Sequence, residues 1–162
     1  MKKRWLPLLL LVLLSLVYGT TALAAHGKKA KAAGKVIALT PDDIQWKEGP
    51  PNMPNVKMAV LEGNPKKKGF FVMRLKVPAG TKIPPHVHDN IERVTVISGA
   101  VKLAMGEKAE NPLLLPAGSY FSIPPRIVHN AWVDQETVLQ IATNGPWSLR
   151  RVDGAKDGGK MR

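Results

Sequence analysis

Short runs in which apolar and polar residues alternate, each ended by glycine or proline, fill most of the 162-residue chain and constrain its fold more than any other feature. In residues 70–77, Met73, Leu75 and Val77 would share one face of an extended strand. Residues 92–98 alternate in the same way. No stretch after the N-terminal region keeps a helical apolar period over about a dozen residues. The pattern therefore predicts an all-β protein, built most economically as an antiparallel barrel.

Two segments interrupt the alternating runs. Thr40-Pro41-Asp42-Asp43 indicates a turn or a single capped helical turn. Residues 49–55 contain three prolines, which lack the amide donor that helices and sheets require, so we expect a loop there. The other runs predict further strands at residues 36–39, 101–105, 113–115 and 120–123, and a last pair at residues 128–133 and 137–142 around Asp134-Gln135.

The first 24 residues have the three parts of a secretory signal peptide. A basic start at Lys2-Lys3-Arg4 precedes an apolar run that ends near Tyr18, and the small-residue exit Ala22-Leu23-Ala24 follows. The apolar run is shorter than the roughly 20 residues that a spanning helix needs, which favours a cleaved signal over a retained membrane anchor. We therefore expect an exported protein, periplasmic or secreted, with no stable membrane anchor after cleavage.

Composition divides the remaining chain into three parts. Residues 25–35 are rich in Ala, Gly and Lys and predict a basic flexible linker. Residues 36–152 carry the alternating runs and predict one folded domain. Residues 153–162 contain glycine and charge but few apolar side chains, which predicts a flexible basic tail.

The net charge of +12 raises the question of a nucleic-acid partner. Three of these twelve charges leave with the signal peptide, which lowers the net charge to +9. The other basic clusters lie in the linker, at Lys66-Lys67-Lys68 and in the tail, and no aromatic residues alternate with the lysines. Such runs are usually solvated, although they also bind anionic surfaces non-specifically. We expect no nucleic-acid partner. The chain has no cysteine, so its stability must come from packing, with or without a contribution from metal.

Three of the four histidines form a pattern that indicates a metal site. His86 and His88 are two residues apart, so both imidazoles point to the same face of an extended strand. Asp89-Asn90 allows a turn, after which Glu92 opens the next strand beside them. His129 would join from a distant strand. Three imidazoles and one carboxylate suit a divalent transition metal, such as Fe, Mn, Ni, Cu or Zn, better than Ca²⁺ or Mg²⁺.

The spacing of these residues resembles the first motif of the cupin superfamily. Gly80, five residues, His86-Val87-His88, three residues, Glu92, six residues and Gly99 fit that motif without gaps. Over residues 56–147 the chain is similar to a small single-domain cupin. The resemblance implies an all-β fold of the cupin type, an antiparallel β-barrel of the jelly-roll kind. It also implies that His86, His88, Glu92 and His129 are the ligands of one metal ion.

The second cupin motif fits in part. Gly118, five residues, Pro124 and then His129 are in place. Arg126 stands where the family usually has glycine, and Val133 stands where it usually has asparagine. An arginine is not expected to take the positive φ that a glycine adopts, so either the turn differs there or Arg126 places a cation at the pocket rim.

Strand alternation also predicts the wall of a pocket beside the metal. Val94 and Val96 should follow Glu92 inward. Gln140, the one polar residue on a late apolar strand, would hydrogen-bond a ligand or merely satisfy a neighbouring backbone group. Trp132 and Trp147 would form the rim, or else plug the barrel or cover a dimer interface. The predicted wall residues are Met73, Leu75, Val94, Val96, Phe121, Ile123, Trp132 and Gln140.

These observations lead to the hypothesis of an exported, metal-dependent oxidoreductase of dioxygenase type. It would act on a small organic substrate, aromatic or diketone-like, and Glu92 would be both a ligand and a catalytic proton acceptor. One alternative is a non-enzymatic module that senses or carries a small ligand and holds a structural metal. Another is isomerase or lyase chemistry with the metal as Lewis acid. Because an exposed edge strand is a liability and cupins often pair at their edges, we expect a homodimer.

Overall fold

The computed structural model of the chain describes residues 35–152, which form one 3-10 turn and eleven β-strands. The turn spans Pro41–Asp43, and Thr40 caps it through a reciprocal capping box with Asp43. The strands are β1 Lys47–Glu48, β2 Lys57–Glu62, β3 Gly69–Val77, β4 Lys82–Val87, β5 Glu92–Ser98, β6 Ala100–Met105, β7 Leu113–Pro116, β8 Tyr120–Ile123, β9 His129–Trp132, β10 Thr137–Gly145 and β11 Arg150–Arg151.

The strands form two antiparallel sheets. The first has the order β1-β2-β3-β10-β5-β8, and the second has the order β11-β4-β9-β6-β7. Every pair in both sheets is antiparallel. The predicted all-β fold is confirmed for the described part of the chain.

One hydrophobic core lies between the inner faces of the two sheets. Phe71, Met73, Leu75 and Val77 of β3 are buried, while the residues between them lie on the other face, as the alternation predicted. Burying each such side chain contributes about 1.5–3 kcal/mol relative to leaving it exposed. The second sheet adds Val101 and Leu103 of β6, among others, to the same cluster. The metal-site residues lie at one part of this interior.

Two sequence predictions about the strands are wrong. Residues 36–39 form no strand, and Val36 is 86% exposed, because no described strand lies beside them to pair with. The last two predicted strands exist but do not pair with each other. Strand β9 lies between β4 and β6, whereas β10 lies between β3 and β5 in the other sheet. The short connection therefore crosses from one sheet to the other instead of closing a hairpin.

Strand β4 carries a local irregularity next to the metal-site histidines. Its register with β9 shifts between Ile83 and His86. Pro84 and Pro85 occupy this position, and neither can donate an amide hydrogen to the ladder. The two prolines thus set where the ladder breaks, immediately before His86 pairs with His129.

The predicted signal peptide of residues 1–24, nearly all of the linker of residues 25–35 and the tail of residues 153–162 lie outside the described residues. Between residues 35 and 152 there is no helix with the length and apolar character that crossing a bilayer requires.

Candidate metal centre

Three strands bring the four predicted metal ligands together. His86 lies near the end of β4, and His88 follows that strand directly. His129 opens β9 as the cross-strand partner of His86. Glu92 opens β5. All four side chains are buried.

The three imidazoles are close enough to share one ion. One ligand atom from each of His86, His88 and His129 lies within 4.8 Å of the others. The ring centroids are 4.9 Å apart for His86 and His88, 4.1 Å for His86 and His129, and 5.2 Å for His88 and His129. This cluster of three buried histidines is suited to binding one metal ion.

Backbone carbonyls fix the orientation of each imidazole. His86 Nδ1 donates to the Pro84 carbonyl at 2.8 Å. His129 Nδ1 donates to the Ile127 carbonyl at 3.0 Å, and His88 Nδ1 donates to the carbonyl of Ser148 at 2.5 Å. A neutral imidazole that donates from Nδ1 keeps its Nε2 lone pair free. The three rings therefore present three Nε2 atoms as candidate metal ligands.

The Glu92 carboxylate lies at ligand distance from two of these nitrogens. Its Oε2 is 3.3 Å from His88 Nε2 and 3.8 Å from His129 Nε2. Two ligands that each bind an ion at roughly 2.1 Å lie about 3–4 Å apart. His88 Nε2 is buried and has no hydrogen-bond partner, a costly arrangement for a polar atom unless a ligand fills the space. The donor set and this unpartnered nitrogen both fit a bound transition metal.

Burial and the neighbouring charges shift the pKa values of these groups. Burial, with the nearby His129, lowers the pKa of His86 to about 4. Burial likewise lowers the pKa of His129. Burial opposes the charged form of His88 too, but the adjacent Glu92 carboxylate, together with the Ser148 carbonyl and Asp89, raises the pKa of His88. Burial alone would raise the pKa of Glu92, and the three imidazoles, His88 above all, lower it instead. His86 and His129 are therefore neutral near pH 7, which is the ligand form.

The segment after β10 holds His88 in place, and the sequence analysis missed this. Besides the Ser148 carbonyl, the Ser148 hydroxyl accepts a hydrogen bond from the Asp89 amide at 3.1 Å. Arg150 forms an ion pair with Asp89 at 2.7 Å. The Trp147 ring lies parallel to the His88 ring, with centroids 6.2 Å apart. Ser148 is 60 residues away and acts through its backbone carbonyl, so no residue pattern identified it.

A small cavity of about 40 Å³ adjoins the cluster. Its wall is almost entirely apolar apart from the histidines and Glu92, as expected. Of the predicted wall residues, Leu75, Val94 and Phe121 line it. Trp147 lines it as well. The wall residues that the sequence analysis did not name are Met53, Ile83, Val101, Leu103, Ala131, Leu139, Ile141 and Leu149.

Five predicted wall residues do not line the cavity. Met73, Val96 and Ile123 point inward but belong to the core away from it. Gln140 lies on the opposite face of β10 from the buried Leu139 and Ile141, where its Oε1 accepts a hydrogen bond from Arg74 Nε at 3.1 Å. Trp132 likewise lies on the opposite face of β9 from His129 and Ala131, which the alternation of that strand explains.

Arg126 contradicts the expectation that an arginine would avoid positive φ. It adopts φ 64°, and its amide donates to the His88 carbonyl at 2.9 Å. A left-handed conformation costs a non-glycine residue about 1–2 kcal/mol, which this turn of the fold tolerates. The Arg126 side chain is exposed. The turn of the second motif is therefore kept without its glycine.

Comparison with known proteins agrees with this architecture. The family model described as "Domain of unknown function (DUF4437)" matches residues 18–150. No curated protein matches the chain. Among solved structures, the polyketide cyclase RemF from Streptomyces resistomycificus is 16% identical, with a TM-score of 0.63 over 76% of this chain and 89% of the other.

Two further structures have the same fold. An acetylacetone dioxygenase from Acinetobacter johnsonii is 16% identical, with a TM-score of 0.60 over 78% of this chain and 85% of the other. An RmlC-like cupin from Shewanella frigidimarina is also 16% identical, with a TM-score of 0.53 over 65% of this chain and 87% of the other. At such identities the likeness shows the fold alone. The two antiparallel sheets form a cupin-like fold.

Proposed function

The chain belongs to the DUF4437 family, whose description names no activity, and we propose its function from the metal site. The protein binds one divalent transition metal ion. It is an oxidoreductase of dioxygenase type that acts on a small organic substrate. The observation that carries the proposal is the group of three buried imidazoles whose Nδ1 atoms are all engaged by backbone carbonyls. That arrangement leaves three Nε2 atoms and the Glu92 carboxylate to hold the ion.

The donor set supports a borderline ion such as Fe, Mn, Ni, Cu or Zn. Four protein ligands on a six-coordinate ion leave two positions for exchangeable ligands. The metal would supply positions where substrate and dioxygen bind, and the substrate would supply the electrons that reduce dioxygen.

The residues around the site have separate parts in this chemistry. The apolar wall excludes bulk water and strengthens every electrostatic interaction inside it. Because the imidazoles lower its pKa, Glu92 stays ionised and is available to accept a proton from an acidic C–H or O–H of the substrate. The name of the Acinetobacter johnsonii structure makes small diketones the first substrates to test on this chain.

The size of the cavity favours a second candidate, a non-enzymatic module that binds a small ligand beside a structural metal. A space of about 40 Å³ takes an ion and a few water molecules. Small-molecule sites commonly begin at about 300 Å³. Turnover of an organic substrate therefore requires part of the wall to move, whereas structural metal binding does not.

Oxygen consumption separates the two candidates. Anaerobically purified protein is loaded with Fe²⁺, Mn²⁺, Ni²⁺ or Cu²⁺ and mixed with diketones, phenols and flavonols in an oxygen electrode. We expect at least one pair of metal and substrate to consume oxygen, and His129→Ala to abolish that activity. If metal is bound but no pair consumes oxygen, the oxidoreductase proposal is wrong and the binding module is favoured.

A further inference from the structure

We propose that the protein binds a small organic anion in a second space beside the metal cavity, here called the outer chamber. Lys82 holds the charged group of this ligand. The apolar end of the ligand reaches toward the metal cavity. This inference deepens the proposed function. It rests on the proposed function in one respect, namely that the inner cavity is the metal site.

The outer chamber has a volume of about 340 Å³. This is far larger than the metal cavity and is within the range of common small-molecule sites. Three parts of the chain line it: the loop of residues 52–55, the β3–β4 turn with the start of β4, and Leu149 with Arg151 near the end of the described residues. The chamber thus has the room for an organic molecule that the metal cavity lacks.

Three apolar side chains connect the chamber to the metal site. Met53, Ile83 and Leu149 line both spaces, so they form the partition between them. Methionine is unbranched and adapts its rotamer readily, and Met53 lies in a loop outside regular structure. A ligand in the chamber would therefore place its apolar end against this partition. Movement of the partition would admit that end to the metal cavity.

The charge of the chamber selects the ligand class. Its lining contains the cations Lys82 and Arg151 and no aspartate or glutamate, so it attracts an anion and repels a cation. Arg151 already takes part in another interaction, so the argument rests on Lys82. Lys82 is exposed, and no residue from 35 to 152 forms an ion pair with it. The amide side chains of Asn52 and Asn55 and the hydroxyl of Thr81 add neutral hydrogen-bonding groups.

A pair of probes that differ in charge tests the proposal without requiring turnover. Benzoate and benzamide have the same aromatic ring and nearly the same size, but only benzoate carries a negative charge. Their binding to the full chain is measured by titration calorimetry. We expect benzoate to bind at least about tenfold more tightly than benzamide, because charge-assisted hydrogen bonds are stronger than neutral ones. Equal affinities, or no binding of benzoate at millimolar concentration, would overturn the proposal. If inorganic phosphate binds as tightly as benzoate, the claim that the ligand is an organic anion would be overturned.

Two variants locate the ligand. Lys82→Gln should weaken benzoate binding about tenfold and leave benzamide unchanged. Lys57→Gln removes the same charge from an exposed position on β2 outside the chamber and should have no effect. Ala79→Trp fills the chamber from its exposed turn and should abolish binding. Unchanged binding in both Lys82→Gln and Ala79→Trp would contradict the assignment.

The two proposals fail in different ways. Benzoate binding that depends on Lys82, without oxygen consumption by any metal-loaded form, supports the chamber and rejects the oxidoreductase. Oxygen consumption that is equal for anionic and neutral substrates and unaffected by Lys82→Gln supports the oxidoreductase and rejects the chamber.

Discussion

At the scale of single residues, the site is built by hydrogen bonds on the far side of each imidazole. Pro84, Ser148 and Ile127 accept these bonds through their carbonyls, so side-chain substitution at these three positions would not remove the acceptors. The cost of the arrangement is the buried, unpartnered His88 Nε2. A metal ion bound to this nitrogen would stabilise the folded protein.

The ligand roles of His88 and Glu92 differ, and substitution should separate them. His88→Ala removes one of the three imidazoles that hold the ion, and we expect it to abolish metal retention. Glu92→Gln keeps a neutral oxygen near His88 and His129, so it should weaken retention less. Metal content after dialysis measures both effects.

Glu62→Gln is the matched control for the carboxylate, because Glu62 is exposed on β2. It should retain metal like the unaltered protein. If Glu92→Gln loses metal as completely as His88→Ala, Glu92 has no role separate from that of the histidines.

At the scale of elements, the alternation of apolar and polar residues predicted the strands and their inward faces. The order of the strands within each sheet depends on pairing between distant parts of the chain. Strand β3 follows its predicted alternation throughout. The same rule places Gln140 outside, between Leu139 and Ile141, so the sequence contained the signal that this residue does not face a ligand. The partners of β9 and β10 were not predictable from the local pattern, because each strand pairs with neighbours from other parts of the chain. The same holds for the support that Ser148 gives to His88.

The segment after β10 should affect the metal although it contributes no ligand side chain. Ser148→Ala removes the acceptor of the Asp89 amide but keeps the carbonyl that holds His88. The loss of one hydrogen bond, worth about 0.5–1.5 kcal/mol, should weaken metal affinity about two- to tenfold. Competition with a chromogenic chelator measures the affinity. Ser122→Ala on β8 serves as control, and an unaltered affinity in Ser148→Ala would show that the bond between the Ser148 hydroxyl and the Asp89 amide does not help to position His88.

The glycines of the two motifs should differ in their tolerance of a side chain. Both Gly99 and Gly118 have positive φ, at 76° and 88°. A Cβ at Gly99 would lie 2.5 Å from Thr137 Oγ1 and 2.6 Å from the Glu136 carbonyl oxygen, whereas nothing lies within 4 Å of one at Gly118. Gly118→Ala should therefore cost only the backbone strain of about 1–2 kcal/mol.

Gly99→Ala adds a steric clash to the same strain and should cost clearly more. Denaturant unfolding of both variants measures the difference in the free energy of unfolding. Equal losses would contradict the close contact between the β5–β6 turn and Thr137.

At the scale of the whole molecule, the two sheets end in the edge strands β7 and β8 on one side. Leu113 and Leu114 of β7 are 61% and 64% exposed, and Tyr120 of β8 is exposed as well. Exposed apolar edges favour association between copies. The homodimer anticipated from the sequence stays a prediction, and these exposed edge strands are where a test of it should start.

The predicted dimer can be tested at β7. We expect light scattering to give twice the mass of one chain for the unaltered protein, and Leu114→Lys to give the mass of a single chain, because a charge on the edge opposes pairing. Lys102→Gln, on the neighbouring strand β6, should leave the mass unchanged. A monomer in the unaltered protein would contradict the prediction.

The central claim is that His86, His88, Glu92 and His129 hold one transition metal ion, and elemental analysis tests it most directly. Protein isolated from its natural compartment without chelators should contain about one transition metal ion per chain, and His129→Ala prepared in parallel should contain none. A metal-free unaltered protein, or equal metal content in the two, would contradict the account.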